Sequence, residues 1–195
     1  MKIIGLTGGI GMGKSTAAAF FRRARIPVFD ADADVHQLQA RGGRGVAPIE
    51  AAFPGTVRNG SVDRTALRQA VLGKPEALHR LEGILHPLVL QDQQAFIARA
   101  RRAGNRAVVL DIPLLLETGW DAGVDQIVVV SAPRAVQMQR VRSRRRMSTA
   151  DIAAVIARQM PDAEKRRRAD FVVHTGLSKR HAQRALRRLI STLRA

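Results

Sequence analysis

At 195 residues and without a cysteine, the chain is sized for one α/β domain with insertions, and it offers neither a disulfide framework nor a thiolate metal site. No apolar run approaches the roughly 18 residues of a membrane-spanning helix, and the amino terminus reads as a strand, so a cytoplasmic protein without a membrane partner is expected. The formal net charge of +17 suggests a polyanion, but only 4% of residues are aromatic and none is Tyr, which leaves little to stack the bases of a single strand. Of the 33 basic residues only Lys2, Lys14, Lys74, Lys165 and Lys179 are lysines, and the arginines are spread along the chain. That pattern fits compositional bias with local polyphosphate-binding clusters, and no obligatory nucleic-acid partner is expected.

The first element is a short apolar strand from Lys2 to Thr7. It runs into Gly8-Gly9-Ile10-Gly11-Met12-Gly13-Lys14-Ser15-Thr16, which fits G-x-x-x-x-G-K-[ST] at every fixed position. Ala17-Ala18-Ala19-Phe20-Phe21 then continues without Gly or Pro, as a helix does. Strand, glycine-rich turn and helix are the setting a phosphate-binding loop requires. Such a loop must aim successive backbone N–H groups at one phosphate, and some of its residues need φ > 0. Residues 8 to 16 are therefore the ATP-binding candidates. Lys14 has the reach to meet the β- and γ-phosphates, Ser15 can place its hydroxyl on Mg²⁺, and the helix start adds a positive dipole end.

Ile26-Pro27-Val28-Phe29 reads as the second strand and ends at Asp30-Ala31-Asp32-Ala33-Asp34-Val35-His36. In an open α/β sheet ligands lie beyond the carboxyl ends of the strands, so these acids are expected to face the crevice of the phosphate loop. Phosphoryl transfer to a hydroxyl needs a carboxylate that holds the hydroxyl and accepts its proton. Asp32 is the candidate base and Asp30 a second substrate contact, with helix capping the competing role for any of the three acids. Gly42-Gly43-Arg44-Gly45 is a flexible break, and helical patterns follow it to about Ala103. A helical insertion over about 61–104 is expected. Within it, His86-Pro87 reads either as a substrate contact or as a helix that stops before a Pro opening the next.

Ala107-Val108-Val109-Leu110-Asp111 is the third strand, and Asp111, like Glu117 after it, is a candidate to orient Mg²⁺. Gln126-Ile127-Val128-Val129-Val130 is the fourth, buried on both faces. The helix from Pro133 becomes arginine-dense, and Arg140 and Arg144 share one of its faces, placed to clamp phosphates from a lid at about 140–150. Arg142 reads as solvated. Ser148 is positioned to cap a further helix, another helix follows Pro161, and Phe171-Val172-Val173-His174 is the fifth strand. Lys179 to Leu193 is an amphipathic helix with Leu186, Leu189, Ile190 and Leu193 inward. The expected architecture is a P-loop NTPase fold of three α/β/α layers, with a five-stranded parallel sheet and a nucleotide-binding core over about 1–60 and 105–195.

From Gly5 through Thr16, then Asp30-Ala31-Asp32 and His36, the sequence resembles the dephospho-coenzyme A kinase family. Leu85-His86-Pro87, Pro113-Leu114-Leu115-x-Glu117, Val124-Asp125, Gln137-x-x-Arg140-x-x-x-Arg144, Gln159-Met160-Pro161 and Ala169-Asp170 follow in the family's order and carry the resemblance over nearly the whole chain. The resemblance implies ATP-dependent phosphorylation of the ribose 3′-hydroxyl of dephospho-coenzyme A, the last step of coenzyme A synthesis. It matches Asp32 to the family's base, Lys14, Ser15 and the loop glycines to its ATP and Mg²⁺ contacts, and the helical insertion over about 61–104 to its substrate-binding part. The chain departs from the family at Arg145, where an acid is common, and at His174-Thr175, where Asp-Asn is usual and the Asn is an expected adenine contact. Two rival readings are another small-molecule kinase of this fold, acting on a nucleoside or nucleotide, and a nucleic-acid-stimulated NTPase. A monomer or small homo-oligomer is expected.

Overall fold

In the computed structural model, which describes residues 1–145, 152, 156–157 and 159–194, five strands form one sheet. They are β1 (Lys2–Thr7), β2 (Val28–Asp30), β5 (Ala107–Asp111), β6 (Gln126–Ser131) and β7 (Phe171–His174), in the order β2-β5-β1-β6-β7. β1 pairs in parallel with β5 and β6, and β6 with β7. All five residues of β5 are buried, as a strand covered on both faces requires. α1 (Lys14–Arg23) and α8 (Lys179–Arg194) pack against this sheet: Ala18, Phe21, Leu186, Leu189, Ile190 and Leu193 join Ile4, Val109, Val128 and Val130 in one core. The inward face expected for the last helix is the face observed.

Two aspartates fix where neighbouring strands start. Asp125, just before β6, accepts from Ile3 N at 2.7 Å, and Asp170, just before β7, accepts from Ile127 N at 2.7 Å. A carboxylate in each place satisfies a strand-end N–H with a charge-assisted bond and sets the register.

The chain divides into two compact units, one of Met1–Phe29 with Arg99–Ala195, the other of Asp30–Ala98. The second unit begins at Asp30 and takes in Asp32 and His36, whereas the insertion expected from the sequence runs over about 61–104. This second unit contains α2 (Ala31–Gln39), α3 (Val46–Ala52), β3 (Val57–Arg58), β4 (Ser61–Val62), α4 (Arg64–Val71) and α5 (Pro75–Arg102) up to Ala98. Leu38, Ile49, Phe53, Leu67, Leu81, Leu85 and Val89 are among its buried side chains. β3 and β4 pair antiparallel around Asn59 and Gly60, both at positive φ (52° and 75°). This hairpin interrupts what reads in sequence as an all-helical stretch. Its signal is the Asn-Gly pair, and two-residue strands are too short to show a period.

α5 also corrects the helix-break reading of His86-Pro87, because the helix runs unbroken through Pro87. Proline removes one i→i−4 bond, here to the carbonyl of Gly83. Gly83 and Pro87 are both exposed, so water can serve that carbonyl and the broken rung lies on the solvent side. Among the described residues, no helix is long and apolar enough to cross a membrane.

In the second unit the carboxyl of Asp34 is held well above the ordinary carboxylate range. Its Oδ2 is buried without a hydrogen-bond partner, and burial, then the nearby Asp92, push its pKa from 3.8 to about 6 against the pull of Arg44. The folded form therefore binds this proton more tightly than the unfolded form. Its stabilising contribution is complete below pH 3.8 and is lost as pH rises to about 6. Asp34→Asn should accordingly melt higher than the parent at pH 7.5, and the advantage should shrink as the pH is lowered toward 5; thermal melts of both proteins across that range check this.

Candidate active site

β1 ends in the fully buried Thr7, whose hydroxyl donates to Pro113 O at 2.9 Å, and the chain then turns through residues 8–13 into α1. Gly13 takes the N-cap position at φ 98°, a left-handed conformation that a side chain would strain. No side chain caps α1, and no acid sits in its first turn. The orphan N–H groups and positive dipole end of this ten-residue helix are thus left for an anion.

The loop is held by its carbonyls. Gln137 Nε2 donates to Ile10 O at 2.8 Å and the Thr175 hydroxyl donates to Met12 O at 2.6 Å, while Arg140 Nη1 makes a long 3.5 Å contact with Gly11 O. In a trans peptide the C=O and the following N–H point opposite ways. Bonding the Ile10 and Met12 carbonyls to Gln137 and Thr175 therefore turns the N–H groups of Gly11 and Gly13 away from those two side chains. Oriented N–H groups of this kind form an anion-binding nest.

Lys14 opens α1, and its Nζ lies 2.6 Å from Asp111 Oδ1 at the end of β5. Asp111 is 3% exposed, so burial of this acid is compensated by the lysine. The candidate Mg²⁺-orienting carboxylate is thus the counter-ion of Lys14. Ser15 is exposed one residue on. Among the described residues no group of three or more His, Cys, Asp or Glu could hold a metal ion. A hydroxyl and a lone carboxylate beside a phosphate loop suit Mg²⁺, which keeps several waters and takes its other ligands from phosphate oxygens. They would not suit a metal that needs a protein cage.

Arg140 grips Thr175 with both ends of its fork, Nη1 to Oγ1 at 2.9 Å and Nη2 to the carbonyl at 2.7 Å. The Thr175 hydroxyl both accepts from the arginine and donates to the loop, which a hydroxyl can do at once. Beside this pair a pocket of about 160 Å³ is lined by Gly13, Thr16, Phe20, Arg140, Thr175 and Leu186, a mixture of apolar and charged side chains. The side chain of Arg144, the other candidate clamp, lies outside the described residues, as does Ser148; the expected lid segment is described only as far as Arg145, the last residue of α6 (Arg134–Arg145).

A second network lies along a cleft of about 600 Å³ lined by Gly9, Gln137, Gln159, Lys165 and the exposed His174. Lys165, on α7 (Asp162–Arg167), is 1% exposed and its Nζ is 2.6 Å from Glu117 Oε1. The same Glu117 oxygen accepts from Met160 N at 2.9 Å. The neighbouring Gln159 accepts from Ile10 N through Oε1 at 3.0 Å. Glu117 is therefore engaged by a lysine and an amide.

In the second unit, Asp30 is the N-cap of α2 and accepts from Ala33 N at 3.1 Å, the capping role weighed for it. Asp32 stands exposed in the first turn. His36 Nδ1 is 3.1 Å from Arg64 Nη1, and His86 sits half-buried in mid-α5. The residues that sequence reasoning missed are Gln137, Gln159 and Lys165 as partners. Gln137 and Gln159 lie in segments whose order matches the family and Lys165 does not, but for all three a polar residue in a helix or turn carries no signal of what it touches.

A nest of loop amides after the first strand of a parallel α/β sheet, with a lysine and a hydroxyl at the head of the next helix, defines the P-loop kinase class. The sequence profile of the dephospho-CoA kinase family matches residues 2–179, and the chain belongs to that family. It is 51% identical to a dephospho-CoA kinase of Gluconobacter oxydans over 198 residues, covering 100% of this chain and 98% of that one. Its structure is similar to the crystal structure of a Thermus thermophilus protein (TM-score 0.85, 35% identity, 98% and 97% of the two chains). It also shares its fold with a dephospho-CoA kinase from Campylobacter jejuni (TM-score 0.76, 21% identity, 98% and 96% of the two chains).

Removing the Glu117 carboxylate leaves Lys165 buried and uncompensated, which typically costs about 3–5 kcal/mol. Glu117→Ala should lower the melting temperature by roughly 10 °C in a chain of this length. The joint replacement Glu117→Leu with Lys165→Met should recover most of that loss, as differential scanning calorimetry would show.

Proposed function

We propose that this chain transfers the γ-phosphoryl group of ATP to the ribose 3′-hydroxyl of dephospho-coenzyme A, giving coenzyme A and ADP, with Asp32 as the base. The observation that carries the nucleotide half of this reading is the outward tethering of the Ile10 and Met12 carbonyls, which frees loop amides for a polyphosphate. Family membership supplies the acceptor. The triphosphate enters residues 8–16, and Lys14 exchanges Asp111 for the β- and γ-phosphates, so its pair with a carboxylate is replaced by one with a more highly charged anion. The adenine lies in the pocket between Arg140 and Phe20, where Thr175 fills the position of the Asn usual in the family.

Ser15 and Asp111 are the residues that would hold Mg²⁺, which when bound neutralises charge on the phosphates. Asp32, exposed in the first turn of α2, takes the proton from the attacking hydroxyl. Arg140 and Arg144 add positive charge where negative charge develops on the transferred group. Asp30 and His86 complete the acceptor side, Asp30 by fixing the start of α2 and so the direction of Asp32.

Release of ADP should accelerate when dephospho-coenzyme A is added and stay at the background rate with adenosine or AMP. No acceleration by the first acceptor would end the substrate assignment, and a rate that rises with added polynucleotide would favour the NTPase reading. Asp32→Asn should lower kcat by about 10²–10⁴, the usual contribution of a general base, while ATP affinity stays within about twofold. Intact turnover in that variant would make Asp32 a structural residue. Lys14→Met should lower kcat by at least 10²-fold, the typical loss of a preorganised charge donor to the transition state.

A further inference from the structure

The peptide units on either side of Ile10 are gripped by two carboxamides from distant parts of the chain. Gln137, on α6 and 4% exposed, donates to Ile10 O at 2.8 Å, and Gln159 accepts from Ile10 N at 3.0 Å. The two side chains close over Gly9: a Cβ there would meet Gln159 Oε1 at 3.2 Å and Gln137 Nε2 at 3.4 Å, so the bare glycine makes room for both. Neither jaw moves alone. The Gln137 N–H is bonded to Pro133 O at 3.0 Å at the head of α6, and Gln159 is followed by Met160, whose N–H is held by Glu117. Glu117 in turn is fixed by the buried Lys165.

We infer that Gln137 and Gln159 are positioning residues that clamp the main chain at Ile10 and so hold the loop ready for its triphosphate. The inference rests on the reading of residues 8–16 as the triphosphate site. A loop rich in glycine has many accessible conformations, and ordering it on binding costs free energy that a pre-set loop does not lose. The clamp acts on nucleotide binding in ground and transition states alike, since it touches neither the acceptor nor the transferred group. It therefore shows in ATP affinity and leaves kcat alone.

Met is close to Gln in length and shape and lacks the donor and acceptor, so Gln137→Met and Gln159→Met test the clamp in the full chain. Each should raise KM for ATP and Kd for Mg·ADP roughly three- to tenfold, the worth of one neutral hydrogen bond. KM for dephospho-coenzyme A and kcat should stay within about twofold. The double variant should lose less than the product of the single losses, because both side chains hold one residue. Amide exchange separates the jaws: the Ile10 N–H should exchange faster in Gln159→Met and not in Gln137→Met, and Gln159→Glu, which keeps an acceptor, should restore its protection. Parental ADP affinity in both Met variants, or a lowered melting temperature with ADP affinity unchanged, overturns the inference and leaves only packing. Should a Met variant fail to fold, the Ala variants carry the same readouts. Lys14→Met distinguishes the two levels: if it too binds ADP like the parent, the triphosphate site is misassigned, and the clamp then stands or falls on the Ile10 exchange.

Discussion

A loop that offers its amides to a phosphate turns the adjoining carbonyls the other way, and what those carbonyls meet organises the first unit of this protein. The carbonyls of Ile10 and Met12 are taken by Gln137 and Thr175, which come from α6 and from the turn after β7. The sheet matters to function because it brings those two segments against the end of β1. β6 lies beside β1 and β7 beside β6, so the helix after β6 and the turn after β7 both emerge next to the loop. Parallel strands make this possible, since all their carboxyl ends share one edge.

Charge follows the same logic. A chain with a formal +17 has an excess of cations, yet its least exposed lysine is matched one to one, Lys165 with Glu117, and Lys14 is matched with Asp111. The two pairs differ in what they leave open. Lys165 is enclosed and serves as a fixed point, whereas Lys14 stands at the head of α1 where an incoming phosphate can compete for it. Arg140 is held by Thr175 on both arms, which removes much of the side-chain entropy that an arginine otherwise loses on meeting a ligand.

Residues of the phosphate loop, Asp111, Arg140 and Thr175 belong to the first unit, and Asp30, Asp32 and His86 to the second. Asp30 is both the last residue of β2 and the cap of α2.

The local pattern of the sequence determined the strands, the glycine-rich turn into α1, the inward face of α8 and the acid-rich start of α2, because each depends on residues close in the chain with a period or a motif. It was silent on the Asn59-Gly60 hairpin, whose strands are too short to repeat anything, and it misjudged Pro87, whose effect depends on which side of α5 faces water. Only the tertiary structure decided what holds the loop. Thr175 meets Met12 across 163 residues, Gln159 meets Ile10 across 149 and Gln137 across 127. A glutamine or threonine at those positions satisfies its local helix or turn equally well with any partner, and the partner is set by the order in which the strands are laid side by side.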